Sequence, residues 1–331
     1  MAHKVSIGIN WQGPLDYKAL LDKVRIADEV GVHSVWVPEA WGRDAFTPLA
    51  LLADRTKNIQ LGTAIVNIYS RTPAALAQHF ATLDELSGGR MLIGLGTSGP
   101  QVIEHFHGVP FHPPLTRLKE YIEIINTLMR NEPLQYNGQL FHLQRGFTLR
   151  FTPVRPHIPI YLATLNAKSV KLTAQLADGW LPIMIPLPKL KGEIDAVHQM
   201  SVAAGRPADA VSVRAPGAVV VTKDVDRARA ESAGTLAFYI GRMGTFYAEQ
   251  LTRHGYGEAV QAVKKAWEGG SRAAAAAVPA DLIEATGYAG SVEACLDRLQ
   301  AQEESGVDIH HVHVDAQDNR AYEQALAMLV G

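Results

Sequence analysis

The sequence predicts a (β/α)8 (TIM) barrel with a helical insertion between strands seven and eight, at about residues 224–306, all within one domain spanning 1–331. Three observations predict it. Strand-like and helix-like segments alternate from the first residues onward, and each helix begins and ends with similar punctuation. Several strands are apolar throughout, as parallel strands covered on both faces are. The 331 residues, 47% of them hydrophobic, can bury one large α/β core. A doubly wound open sheet is the structural alternative.

The first strand reads from Val5 to Asn10, β-rich and followed by Gly13-Pro14. Asp16 then caps a helix whose apolar residues Leu20, Leu21, Val24, Ala27 and Val30 recur at helical spacing, and Gly31 stands where a left-handed terminator belongs. Strand two is Ser34 to Val37. Thr47-Pro48 reads as an N-cap with proline in the first helical position, and strand three runs from Ile59 to Val66. Thr72-Pro73 opens the next helix in the same way, Ser87-Gly88-Gly89 closes it, and Met91 to Leu95 is strand four.

After Gly96-Thr97-Ser98-Gly99-Pro100 the rhythm breaks for a loop and a helix at about Leu118 to Met129. Asn137-Gly138, between Leu134-Gln135-Tyr136 and Leu140-Phe141-His142-Leu143, signals a hairpin. Strands five, six and seven follow at Ile158 to Ala163, Trp180 to Ile183 and Val211 to Val221, with helices at about Ala167 to Ala177 and Ile194 to Ala204 between them. From Asp224 to about Gly306 the pattern is helical and longer than one crossover requires. Ile309 to Val314 is the eighth strand, and Asn319 to Val330 closes the chain.

Composition narrows the function. With 31 basic and 33 acidic residues there is no global positive field for nucleic acid or an anionic membrane, so an anionic ligand must be met locally. Cys295 is the single cysteine, which excludes an intramolecular disulfide and a cysteine-based zinc site; its setting reads as a buried helix stripe. The N-terminus passes straight into a strand pattern without the apolar region of a signal peptide, and no apolar run reaches membrane-spanning length. A cytoplasmic protein acting on a small-molecule substrate is expected.

Barrel function sits where strands end and βα loops converge. That rule selects Asn10-Trp11-Gln12, Glu39-Ala40-Trp41-Gly42, Val66-Asn67, Gly96-Thr97-Ser98-Gly99, Thr164-Leu165-Asn166, Ile183-Met184, Gly217 and Asp315. The fourth loop suits an anionic oxygen: its glycines allow close approach, and Thr97, Ser98 and helix-start amides can donate, although an ordinary tight turn has the same composition. It is neither a Walker loop nor a dinucleotide fingerprint. Asn166, Lys168 and Ser169 open another helix that can meet a second anionic group. Glu39 stands where a carboxylate can bond a heteroaromatic edge or move a proton, or can simply cap the following loop. A metal site is not expected: His105 and His107 lack clustered carboxylates, and strand alternation sends His310 and His311 to opposite faces.

The segments Val35-Trp36-Val37-Pro38-Glu39-Ala40-Trp41-Gly42-Arg43-Asp44-Ala45 and Gly94-Leu95-Gly96-Thr97-Ser98-Gly99-Pro100-Gln101-Val102 resemble the luciferase-like monooxygenase superfamily, most closely its coenzyme F420-dependent oxidoreductase branch. Leu86-Ser87-Gly88-Gly89-Arg90, His107-Gly108-Val109-Pro110-Phe111, Pro159-Ile160-Tyr161-Leu162-Ala163 and Ala177-Asp178-Gly179-Trp180 add to the likeness, which fades after about Pro182. The resemblance implies a homodimer and a deazaflavin ring, or flavin mononucleotide (FMN) as the alternative, stacked in the barrel mouth. It implies a non-proline cis peptide at Ala64-Ile65 behind the ring, Asn67 at the ring edge, and a cofactor channel lined by Gly96, Thr97, Ser98, Leu165, Asn166, Lys168 and Ser169. The sugar-phosphate dehydrogenases of this branch carry a histidine after the acidic residue, where this chain has Ala40. That departure argues against their reaction and leaves Glu39 and His107 as candidate catalytic groups.

The reading that follows is an F420-dependent oxidoreductase moving a hydride between deazaflavin C5 and an organic substrate. Its rivals are an FMN-dependent monooxygenase on the same barrel and a flavin-binding barrel without catalysis. Arg43, Arg71 and Lys168 are expected to border the mouth and favour the more anionic deazaflavin.

Overall fold

The computed structural model describes residues 2–10 and 13–331. Its strands are β1 (Val5–Gly8), β2 (Ser34–Val37), β3 (Gln60–Thr63), β4 (Val66–Asn67), β5 (Met91–Gly96), β6 (Leu134–Asn137), β7 (His142–Phe147), β8 (Ile160–Ala163), β9 (Gly179–Trp180), β10 (Ser212–Val213), β11 (Val219–Val221), β12 (Tyr288–Gly290) and β13 (His310–Val314). The main sheet runs β10-β9-β8-β5-β3-β2-β1-β13 with parallel pairing throughout. It closes on itself where Arg214 pairs with Ile309, through bonds from Ile309 N to Val213 O (3.1 Å) and from Ala215 N to Ile309 O (2.8 Å). The closed circle is the expected barrel. Among the described residues, no helix is long and apolar enough to cross a membrane.

Strand alternation divides the core in two. Val5, Ile7, Val35, Val37, Leu61, Ile93, Leu95 and Val312 point outward and pack with helix residues such as Val24, Leu49, Leu76, Phe80 and Ile124. Trp36, Leu92, Tyr161, Leu181 and Ile309 point inward and fill the barrel. Each such buried side chain contributes roughly 1.5–3 kcal/mol of transfer free energy.

The caps follow the sequence in most places. Asp16 accepts from the amides of Lys18 and Ala19, and Thr72 from that of Ala75. Gly88 and Gly89 adopt φ of 67° and 86°, the left-handed turn that ends the helix Pro73–Ser87. The buried Arg90 beyond it donates to the carbonyls of Ala53, Thr56, Ile59 and Ser87, tying three chain segments beneath the barrel. In the expected hairpin, the buried Glu120 carboxylate accepts from the amides of Gln139, Leu140 and Phe141.

Four expectations need correction. The helix after β2 is Phe46–Arg55 with Ala45 as its cap residue, so Thr47 is not the N-cap; Asp44 bonds the amide of Thr47, and Glu39 bonds that of Ala45. Strand three is two pieces, β3 and β4, separated by Ala64-Ile65, whose peptide bond is cis. The seventh strand is likewise split into β10 and β11, and between them Gly217 passes so close to Thr286 O that a Cβ would lie 1.9 Å from it. The region 224–306 is not wholly helical: β12 adds to β11 outside the barrel circle, and the helix Val292–Glu304 is the crossover to β13. Trp11 and Gln12, expected at the mouth, lie outside the described residues.

The helices Val225–Arg242, Phe246–Leu251, Gly257–Ala266, Ser271–Ala276 and Ala280–Thr286 share their own apolar core, built on Leu236, Ile240, Leu251, Val260, Val263 and Leu282. They lean on the barrel at the C-terminal ends of its strands. Gln250 donates to Ile183 O (2.6 Å) and Met184 O (3.1 Å), Arg253 to Leu165 O (2.9 Å), and Phe238 lies 6.2 Å from Trp41.

Candidate active site

At the mouth, β2, β4 and the loop after β5 bring together three of the expected residues. The Glu39 carboxylate is only 7% exposed and receives both terminal nitrogens of Arg71, at 2.6 and 3.1 Å, together with the amide of Ala45 at 3.0 Å. Both oxygens are thereby engaged, and the carboxylate fixes the loop and helix that follow β2. Arg71 also stacks on Phe46 at 4.7 Å, so it is an internal counter-charge and not a free cation at the rim. Arg43 donates to Gly13 O at 2.6 Å.

Asn67 is buried and its Oδ1 accepts from the amides of Tyr69 and Ser70, while its Nδ2 stands 3.3 Å from His107 Nε2. For that contact to be a hydrogen bond, the half-buried imidazole must carry its proton on Nδ1. Burial lowers the pKa of His107; Glu39 opposes the shift and Arg71 adds to it. The residue is thus a neutral imidazole at neutral pH, oriented by Asn67 and able to move a proton at Nδ1.

The next strands form the wall expected to meet a cofactor. Ile65 packs across Gly96, where a Cβ would lie 2.9 Å from Ile65 Cδ1, and β4 pairs Asn67 with Gly96. The Ala64-Ile65 segment therefore presents an apolar surface at the end of β5. Thr97 donates to Ser98 O at 3.2 Å, and Ser98 has φ of 55°, an uncommon conformation for a non-glycine residue that turns the chain into the helix Pro100–His105. Asn166 and Ser169 form a reciprocal capping box at the start of the helix Ala167–Leu176, which occupies the side chains expected to meet an anion. Lys168 is exposed in the first turn of that helix, and Leu165 offers its carbonyl to Arg253.

Further groups that the sequence did not single out line two openings at the insertion. A cavity of about 530 Å³ is lined by Gln101, Arg242, Gly244, Lys264 and Trp267, among others, and an adjoining one of about 470 Å³ adds Arg253 and Glu249. These cations come from the insertion, where neither a motif nor a strand end marks them. Inside the barrel stand Ser6, Arg214 and His311, for which alternation along Val211-Ser212-Val213-Arg214 was the available signal. At the opposite end, His310 faces outward as alternation required, and its Nδ1 meets Gln302 Oε1 at 3.0 Å. Ligand atoms of His310, His3 and Glu303 lie within 4.8 Å of one another there, a grouping hidden because 300 residues separate His3 from Glu303 in sequence.

A closed parallel barrel, with functional side chains at the C-terminal ends of its strands and a helical cover over the mouth, defines a (β/α)8 barrel of the enzyme type. The profile of the luciferase-like monooxygenases matches residues 5–309, and the chain belongs to that family. It is 33% identical over 323 residues to a protein of Mycobacterium tuberculosis whose name places it among the coenzyme F420-dependent oxidoreductases, covering 92% of this chain and 93% of that one. It is 31% identical over 315 residues to the 5,10-methylenetetrahydromethanopterin reductase of Archaeoglobus fulgidus, covering 92% and 91%. Among solved structures, the coenzyme F420-dependent tetrahydromethanopterin reductase of Methanopyrus kandleri superposes with a TM-score of 0.83 at 24% identity, over 99% of this chain and 97% of that one.

Proposed function

We propose that the protein is an F420-dependent oxidoreductase that transfers a hydride to or from a small organic substrate. The observations that carry this reading are the apolar Ile65–Gly96 wall at the end of β5 and the cavities that Arg242, Lys264 and Arg253 of the insertion line, the first of them lined also by Gln101 of the helix Pro100–His105. An apolar wall suits the face of a tricyclic ring, and the basic cavities suit a ligand carrying several negative charges. The Mycobacterium tuberculosis relative, named for F420-dependent chemistry, supports the same choice.

When bound, a deazaflavin supplies carbon C5 as a two-electron hydride donor or acceptor. The residues here have the supporting tasks. Ile65 and Gly96 orient the ring, the turn at Thr97 and Ser98 meets the phosphate, Lys168 and the insertion cations neutralise the tail, and the insertion excludes water. His107 is the candidate for a proton at its Nδ1. Glu39 acts through Arg71 and Ala45 by positioning the loop after β2.

Titrations of F420 and FMN side by side at two salt concentrations test the proposal. F420 is expected to bind more tightly, with a salt-sensitive part lost both on removing its glutamate tail and in the double variant Arg242→Ala/Lys264→Ala, because exposed charges are screened over about 8 Å at physiological ionic strength. Preference for FMN, with oxygen consumption on reduction, would move the protein to the monooxygenase reading.

A further inference from the structure

Among the described residues, the interior of the barrel holds a cation without a counter-charge. Arg214 follows β10 and points inward. Its Nε donates to Ser6 Oγ at 3.2 Å, and the Ser6 hydroxyl passes its own proton to His310 O at 2.8 Å. Its guanidinium carbon lies 5.4 Å from the Trp36 ring centroid. Of the five N–H groups that a guanidinium carries, only the one on Nε finds a hydrogen-bond partner among the described residues, and no carboxylate there pairs with it. Burial alone pulls its pKa down to about 9.

His311 is next to it on β13. Its Nδ1 is buried without a partner among the described residues, and burial, Arg214 and His313 lower its pKa well below the usual value against the opposing effect of the Ser6 backbone, so the imidazole is neutral and carries one N–H. The edge of this ring faces Gly8, where a Cβ would lie 3.0 Å from Cε1 and 3.5 Å from Nε2. Gly8 is exposed, and Arg214 and His311 each keep some accessible surface, so the space above them is open to small solutes. The apolar inward groups around it are Trp36, Leu92, Tyr161, Leu181 and Ile309, Ser34 accepts from the Trp36 indole, and no carboxylate acts on Arg214 among the described residues.

A cation held in the barrel interior without a counter-charge is poorly solvated, and an anion held in the same place offsets that cost. One cation beside a neutral donor matches a monoanion better than a dianion, and the flat guanidinium fork matches a planar carboxylate. We propose that Arg214, with His311 beside it, binds a carboxylate group that enters the barrel past Gly8, and that this carboxylate is carried by the organic substrate. The assignment to a substrate rests on the hydride-transfer reading above, whereas the anion site does not.

Calorimetric titration of the ligand-free protein at constant ionic strength tests it, with formate, butyrate and butyramide as probes of the wild type and of Arg214→Met. Butyrate is expected to bind at one site at least tenfold more tightly than formate, because its chain gains the apolar walls. Butyramide should not bind, and Arg214→Met should weaken butyrate at least tenfold while melting cooperatively and binding F420 as the wild type does. Formate binding as tightly as butyrate would support the anion site and overturn its assignment to a substrate. Absence of saturable carboxylate binding, or equal binding by Arg214→Met, would overturn the site itself. If butyrate titrates and F420 does not, the hydride-transfer reading fails and the anion site stands.

Discussion

The two sides of the barrel interior use glycine for opposite purposes. On the side of β3 and β5, glycine lets groups touch: a Cβ on Gly62 would lie 2.5 Å from the Trp36 ring, and one on Gly94 would lie 1.6 Å from Thr63 O. Thr63 locks that contact by donating from Oγ1 to Gly94 O at 2.8 Å and accepting from Gly94 N at 2.9 Å. On the side of β1 and β13, Gly8 is exposed and a Cβ there would meet only the edge of the His311 ring, at 3.0 Å, with the polar groups Ser6, Arg214 and His311 nearby. The charges differ in the same sense. Glu39 and Arg71 satisfy each other beside the closed wall, while Arg214 has no such partner among the described residues. One side is built to be a surface and the other to be a receptacle.

The contrast is broken most severely at Gly94. A Cβ against a backbone oxygen cannot be accommodated by a rotamer change, so Gly94→Ala should cost about 4 kcal/mol or more, or prevent folding. Gly8→Ala meets only a side-chain edge and should cost under about 1 kcal/mol. Urea denaturation of the two variants checks the pair, and equal losses would erase the distinction between the two sides.

Acid should act on the strand that borders the open side. The pKa of His310 is pushed down to about 4 by burial and by neighbouring His3, and that of His311 is also lowered. An unfolded histidine takes up a proton near pH 6.5, so these residues leave stability unchanged above that pH and erode it as the pH falls toward 4. For His310 the loss at pH 4 is on the order of 3 kcal/mol. Denaturation midpoints at pH 7 and pH 4.5, with histidine titrations followed by NMR, measure it.

The smallest of the three effects compares two arginines. Arg71→Met strands a nearly buried carboxylate and should cost about 2–3 kcal/mol, whereas Arg214→Met removes an unpaired cation and should fall within about 1 kcal/mol of the wild type or stabilise it. Equal destabilisation in chemical denaturation would mean that Arg214 has a protein partner after all.

Much of the barrel was legible because its punctuation is local: Asp16, Thr72 and Gly88 act on amides and carbonyls within a turn of themselves. The mouth was legible in position, since strand ends select it, and partly in partners, because Glu39 could be foreseen to cap its own loop. What the sequence hid was non-local. The partner of Glu39 is Arg71, brought from the loop after another strand, and the group that meets Gly217 between β10 and β11 is Thr286, some seventy residues downstream. Arg214 and His311 acquire meaning only when the circle of strands closes at Arg214 and Ile309.

The helices over the mouth pack around a hydrophobic core of their own, to which the barrel contributes chiefly Met184 and Ile183. Such an arrangement separates two kinds of evolutionary change. Sequence drift within Leu236, Ile240, Val260 or Val263 can reshape the roof over the ligand without disturbing the packing that closes the strands, so new specificity can be tried on an unchanged chassis. The polar joint at the rim is small, with Gln250 holding the carbonyls of Ile183 and Met184 and Arg253 that of Leu165, and the tilt of the roof is therefore open to adjustment by substitutions around Gln250 and Arg253.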